Sequence, residues 1–266
     1  GDASYRSDPT ELTFNRVREQ LDPVTGAVVS TTTVEQPVES EQNGAFARFT
    51  AEYKLDDKTQ LTGELRGVAF DGTGSGDGLY ETRNAAGAVT SAYRRVGDSD
   101  FTFNNWGATA RVLRRFDGDG HEWSNELRYD SNANDTTSQT LTTFLTPAGA
   151  ALYERTRTAV DQVTWGFTSA YTRPMSDGGK LRLGYELNLQ RPEQDAGFLR
   201  GPSEAALTPV PALNNRFEAE QTVHALYTTY ERPFGEKLSA QFGLRLEQAE
   251  VEIEDVTNAV RASQDY

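Results

Sequence analysis

Cysteine is absent from the 266 residues, methionine occurs once and histidine twice. The first absence excludes a disulfide framework, a thiolate metal site and a cysteine nucleophile. The two histidines, His121 and His224, are far apart in the chain and offer no acid–base pair. No apolar run approaches the roughly 20 residues a membrane helix needs, and a mean hydropathy of −0.65 excludes insertion as helices. Positive charge is also scarce. There are 26 Lys+Arg against 40 Asp+Glu, giving a net charge of −14, so nucleic acid is excluded as a partner. The opening Gly1-Asp2-Ala3-Ser4 has neither the basic start nor the apolar core of a signal peptide, which fits a mature form or an excised piece. Aromatic residues, in contrast, make up 10 % of the chain and recur throughout it, which excludes disorder.

The dominant period is two. Ala45, Ala47, Phe49, Ala51, Tyr53 and Leu55 alternate with Phe46, Arg48, Thr50, Glu52 and Lys54, placing every second side chain on one face of a strand. A turn at Asp56-Asp57-Lys58 leads into Leu61, Gly63 and Leu65 alternating with Thr62, Glu64 and Arg66, and the pair reads as a β-hairpin. Three more hairpins follow. Their turns lie at Asp117-Gly118-Asp119-Gly120, at Ser176-Asp177-Gly178-Gly179 and near Gly235-Glu236. In the last hairpin the apolar phase moves from even positions up to Leu246 to odd ones (Ala249, Val251, Ile253), which predicts a β-bulge near Glu247-Gln248. The only helical candidate, 148–157, is short and equally compatible with a strand. Residues before the short turns (Leu55, Phe116, Met175, Phe234) and a second set of tips (at Gly26, Gly87 and Gly149) both recur about every 60 residues.

Short turns at one end and long polar excursions at the other are the layout of outer-membrane barrels. The excursions, 71–100, 130–157 and 191–218, are rich in Gly, Asn, Asp, Thr and Pro and are expected to be water-exposed loops. Stretches 89–116 and 151–174 give few turn signals and suit strands that continue above a membrane. Tyr53, Phe116, Trp123, Tyr171 and Phe234 cluster near strand ends, where interfacial girdles form. The expectation is an all-β chain of antiparallel up-and-down hairpins, about nine strands, forming part of a transmembrane outer-membrane β-barrel over residues 1–266. A soluble or surface-anchored β-sandwich for binding or adhesion shares the alternation, as does a passive porin-type barrel.

Two stretches resemble a known family. Ala170-Tyr171-Thr172-Arg173-Pro174 with Gly179-Lys180-Leu181-Arg182-Leu183-Gly184-Tyr185-Glu186 is similar to a barrel hairpin of TonB-dependent outer-membrane receptors. So is Thr229-Tyr230-Glu231-Arg232-Pro233-Phe234 with Lys237-Leu238 and the Gly243-Leu244-Arg245-Leu246-Glu247 strand. The resemblance implies a fragment lacking the plug domain and the C-terminal strands, in the outer membrane of a Gram-negative bacterium. It also implies active uptake of a scarce solute of the siderophore, cobalamin or oligosaccharide class. The partners it implies are outer-membrane lipid, the transported small molecule and a TonB-type energy coupler acting through the missing plug.

No catalytic constellation, cofactor or metal site is expected. The run Asp71-Gly72-Thr73-Gly74-Ser75-Gly76-Asp77-Gly78 half-matches a calcium-binding repeat, but only one copy exists and a flexible loop tip is the simpler reading. Asp117-Gly118-Asp119-Gly120 supplies positive φ for a tight turn. Glu64, Glu126 and Glu186 recur on the polar face and are expected to pair across strands with Arg48, Arg111 or Arg182. Ligand contact is expected on the long excursions, at Tyr80, Tyr93, Arg94, Arg95, Phe101, Phe103, Phe144, Tyr153 and Phe198, because exposed aromatics on polar segments grasp ligands and the arginines can meet an anionic group.

Overall fold

Alternation sustained over twenty residues and more builds very long strands. The computed structural model describes residues 1–176, 178–234 and 238–266. Its strands are β1 (Asp2–Leu21), β2 (Val28–Lys54), β3 (Thr59–Asn84), β4 (Val89–Arg115), β5 (Glu122–Thr146), β6 (Leu152–Pro174), β7 (Lys180–Gly201), β8 (Thr208–Pro209), β9 (Asn215–Pro233), β10 (Ser239–Asp255) and β11 (Val260–Asp265). They form one antiparallel sheet in chain order, with the two-residue β8 set aside against β7. The all-β fold is as expected, and the strands beyond the expected nine are the short β8 and β11. Helical structure among the described residues is limited to two single 3₁₀ turns, Glu204–Ala206 and Pro211–Leu213. The helical candidate at 148–157 is a turn leading into β6. Asp177, Gly235, Glu236 and Lys237, which belong to two of the expected turns and to the second family-like hairpin, lie outside the described residues.

The expected long loops are mostly strand. β3 and β4 stay paired from Thr59↔Arg114 to Arg83↔Val89, so 71–100 is a ladder closed by a tight tip at Gly87, where φ is +82°. Likewise 130–157 is the upper part of β5 and β6. Only 191–218 holds an irregular connection, at 202–214 between β7 and β9. The reason is pairing: glycine, threonine and asparagine are poor strand formers alone, but a hairpin already zipped from its lower end extends through them at little cost. The expected bulge in β10 is absent as well, since β10 pairs with β9 in unbroken register from Ser239↔Pro233 to Asp255↔Phe217.

What changes along each strand is the polarity of one face. On β3 this face carries Leu61, Gly63, Leu65, Gly67 and Ala69, then Asp71, Thr73, Ser75 and Asp77. On β7 it runs Leu181 to Leu189, then Arg191 and Glu193; on β10, Ala240 to Leu246, then Gln248, Glu250, Glu252 and Glu254. The apparent phase slip in β10 is this switch. In β2 to β7, β9 and β10 it falls about 8–12 residues from the short turns, which spans about 25 Å for tilted strands. Trp106, Tyr129 and Trp165 mark the line, with ring centroids 5.1 and 4.6 Å apart, as an interfacial girdle should. Above it the strands continue for a further ten residues or so into water.

Among the described residues no second layer covers the apolar band. Leu65 is 58 % and Leu127 47 % exposed, whereas the side chains of Glu64 and Asp130 on the opposite face are only 19 % and 15 % exposed. The sheet therefore curls with its polar face concave and presents its apolar face outward, the inverse of a sandwich. β1 and β11 lie at the two ends of the strand path, so the sheet is open.

The upper tips are tied by carboxylates. Asp22 accepts the N–H groups of Thr25 (2.8 Å) and Val24 (2.9 Å), which hold its pKa below the usual aspartate range. Asp255 is held low in the same way, first by the Asn258 side-chain amide and then by the Asn258 backbone N–H. Because the folded pKa is depressed, this stabilisation is present above the ordinary value near 4 and is lost as pH falls through the folded value. Asp22→Asn should loosen the β1–β2 tip at pH 7, and the difference from the unaltered protein should shrink as pH falls through the folded value. NMR line shapes of Gly26 and Ala27 in the two proteins check this.

Candidate functional site

The concave wall carries two zones. In the lower one, at membrane depth, Arg48 donates to Glu64 (2.5 Å), Arg66 reaches both Glu64 (3.7 Å) and Asp130, and Arg128 also binds Asp130. Five alternating charges thus cross β2, β3, β4 and β5. Gly107 makes the crossing of β4 possible: it sits in register between Arg66 and Asp130, and a Cβ there would lie 2.6 Å from the Asp130 Oδ1. The Arg48–Glu64 pair is as expected from the sequence. Glu186, however, takes Arg245 (2.8 Å) from β10, while Arg182 lies over the Tyr227 ring (6.0 Å). Arg111 donates through Nε to Ser124 (3.1 Å).

The upper zone stands above the girdle. Tyr80, Tyr93 and Phe144 are direct cross-strand partners on β3, β4 and β5. The two tyrosine rings stack at 4.6 Å and 9°, and Phe144 follows at 6.2 Å. Burial, and after it the neighbouring Tyr80, pushes the Tyr93 pKa up, so the Tyr93 hydroxyl stays a protonated donor at neutral pH. Lower on the same wall Phe70 and Phe103 pair at 6.1 Å, and the Phe101 ring lies directly over Gly72. Between these two aromatic rows the concave positions of β3 are Gly74, Gly76 and Gly78. The result is a hollow of about 310 Å³ on the concave wall, bordered by Tyr80, Gln36, Arg95, Ser99, Ser138 and Thr140.

The structure gathers most of the sequence candidates onto this wall. Tyr80, Tyr93, Arg95, Phe101, Phe103 and Phe144 surround the hollow or its lower row. Phe198 is concave too, three strands away from β4 on β7, under the Arg200 guanidinium (5.2 Å). Arg94 and Tyr153 turn to the convex face: Arg94 grips Asp77 with two nitrogens, and Tyr153 pairs with Leu141. They sit on strands, not loops. The residues missed from sequence are Gln36, Glu154 and Arg200. Glu154 lies between Arg200 (2.6 Å) and Arg95 (3.5 Å). The period-two glycines of 72–78 were a signal for one bare strand face rather than a calcium loop, and among the described residues no cluster of three or more metal-ligating side chains exists.

Other candidates resolve into structure. Gly118 and Gly120 have φ of +102° and +73°, the turn role expected of them. His121 lies in the turn before β5 and His224 on β9, and each bonds a tyrosine hydroxyl at 2.8 Å (Tyr171 and Tyr185).

A family model described as "Outer membrane protein beta-barrel family" matches residues 114–266, more than half of the chain. No curated protein matches. Among solved structures, the transport unit of the autotransporter AIDA-I from Escherichia coli aligns at 11 % identity over 99 % of this chain and 88 % of that one. Its TM-score of 0.13 is too low to carry an argument.

Proposed function

From the premise that this chain belongs to the outer membrane protein beta-barrel family, and so stands in the outer membrane of a Gram-negative bacterium, we propose that it forms barrel wall of a TonB-dependent receptor for active solute uptake. One observation carries the reading. The paired strands rise well beyond the apolar band, and their concave side is furnished above it with aromatic rows and polar groups, as a wall that receives a ligand outside the membrane would be. A passive pore needs no such elevated lining.

In this reading the lower charge network faces the lumen, where arginine–carboxylate forks are suited to hold a plug. Lipid covers the convex band, the solute meets the upper wall, and energy enters through a plug contacting an inner-membrane coupler. The chain itself performs no catalysis. Solute uptake by cells carrying the parent protein should collapse when the protonmotive force is dissipated or the coupler is deleted. Uptake that persists under both treatments, together with steady conductance in planar bilayers, would identify a passive pore instead.

A further inference from the structure

The hollow on the upper concave wall has a definite chemistry. Its upper border is the Tyr80–Tyr93 stack, an apolar wall edged with phenol donors. Its lower end is at Gly74, and the next concave position down β3 is Gly72, with the Phe101 ring lying over it. The sides offer the Gln36 amide and the Ser99, Ser138 and Thr140 hydroxyls, and the floor between Gly74, Gly76 and Gly97 is peptide backbone. About 26 Å separates Tyr80 from Gly72 along β3, at about 3.3 Å per residue. Apolar ring surfaces at both ends with neutral donors and acceptors between them suit a ligand whose units carry C–H faces and hydroxyl edges, as pyranose rings do.

Arg95 adds charge selectivity. Glu154 is shared between two guanidiniums, and it is closer to Arg200 (2.6 Å, with a second bond at 3.0 Å) than to Arg95 (3.5 Å). Two cations against one carboxylate leave the rim of the hollow with a net positive charge, in a chain whose total is −14. Arg95 is about half exposed and its remaining N–H groups are available to a second carboxylate. On the opposite, convex face Arg94 is already held by Asp77 with two nitrogens, so of the Arg94–Arg95 pair it is Arg95 that serves the hollow.

We infer that this hollow is a binding subsite for a uronate-bearing oligosaccharide, with a sugar carboxylate on Arg95 and pyranose rings between the Tyr80–Tyr93 stack and the Phe101 ring. The inference rests on the uptake reading only for the reason a saccharide should reach the wall; binding itself requires the folded chain alone.

The test is titration of the full chain, folded into detergent micelles, with oligogalacturonate and with a neutral maltooligosaccharide of equal length. Oligogalacturonate should bind, the neutral sugar should bind at least tenfold more weakly, and added salt should reduce the difference. Arg95→Gln should remove most of the preference for the acidic sugar, and Tyr80→Ala should weaken binding of the acidic sugar. Lys58→Gln, at the short-turn end, should bind like the unaltered protein. Far-UV dichroism of each variant establishes that it is folded, and Arg95→Lys, which keeps the charge, should retain part of the preference. Absence of oligogalacturonate binding by the folded unaltered chain overturns the inference, as does an Arg95→Gln protein that still prefers the acidic sugar, or equal affinity for the two sugars. Binding without energy-dependent uptake in cells would leave the subsite standing and overturn the receptor reading; coupled uptake without saccharide binding would do the reverse.

Discussion

Leu127→Arg should destabilise the membrane-inserted protein by about 2–4 kcal/mol, measured by urea titration in lipid vesicles. Leu127 lies on the convex face of β5, six residues from His121 at the short-turn end, near the middle of the apolar band, and is 47 % exposed to whatever surrounds the protein. In a bilayer that surrounding is hydrocarbon, and a guanidinium placed there must stay desolvated or drag water and headgroups inward. Leu79→Arg provides the contrast. Leu79 is equally exposed at 47 % on the same face of β3, but it lies beyond the polarity switch at Asp71. Its replacement should cost less than about 0.5 kcal/mol, the range of an ordinary surface change. Equal costs at the two positions would show that the band does not end where the side chains change polarity.

The second large effect is expected at Asp130. Its carboxylate, 15 % exposed, binds both Arg66 and Arg128, and Arg66 is itself only 28 % exposed. Asp130→Ala leaves two guanidiniums facing each other over Gly107 with Glu64 as their remaining anion. A fully buried pair broken on one side costs about 3–5 kcal/mol. Partial exposure discounts this to about 1–3 kcal/mol here. Replacing Arg66 by Met in the same protein should recover part of the loss, because the uncompensated charge goes with it. Gly107→Val should mimic Asp130→Ala, since its side chain would occupy the space through which the pair meets. A double-mutant cycle with zero coupling between Arg66 and Asp130 would remove the network as a contributor to stability.

The hairpin order, the short turns and the face assignment of nearly every residue in the apolar band were legible in the chain, because period-two alternation is a local property. Phe49, Leu65, Leu183 and Leu244 needed no partner to announce their face. The stretches above the band were not legible in the same way. There both faces meet water, so alternation disappears, and glycine, asparagine and threonine carry the composition of a loop. In β3 the run from Gly72 to Gly78 is a strand because β2 and β4 pair with it on both sides, which is a property of the neighbours rather than of the run.

The candidate site divides along the same line. Tyr80, Tyr93, Arg95 and Phe144 could be singled out as aromatic and basic residues in polar surroundings, but register decides that Tyr80, Tyr93 and Phe144 form one row and that Arg94 and Arg95, adjacent in the chain, face opposite sides. The partners Glu154 and Arg200 come from strands whose distance along the chain conceals them. By itself the sequence determined an antiparallel sheet of up-and-down hairpins with one apolar face, since alternation and turn chemistry act within a few residues. Only the tertiary structure decided which polar segments become strand, which face is concave, and which side chains meet there, since those depend on hydrogen-bonded pairing between residues up to 55 apart in the chain, as in Thr59↔Arg114.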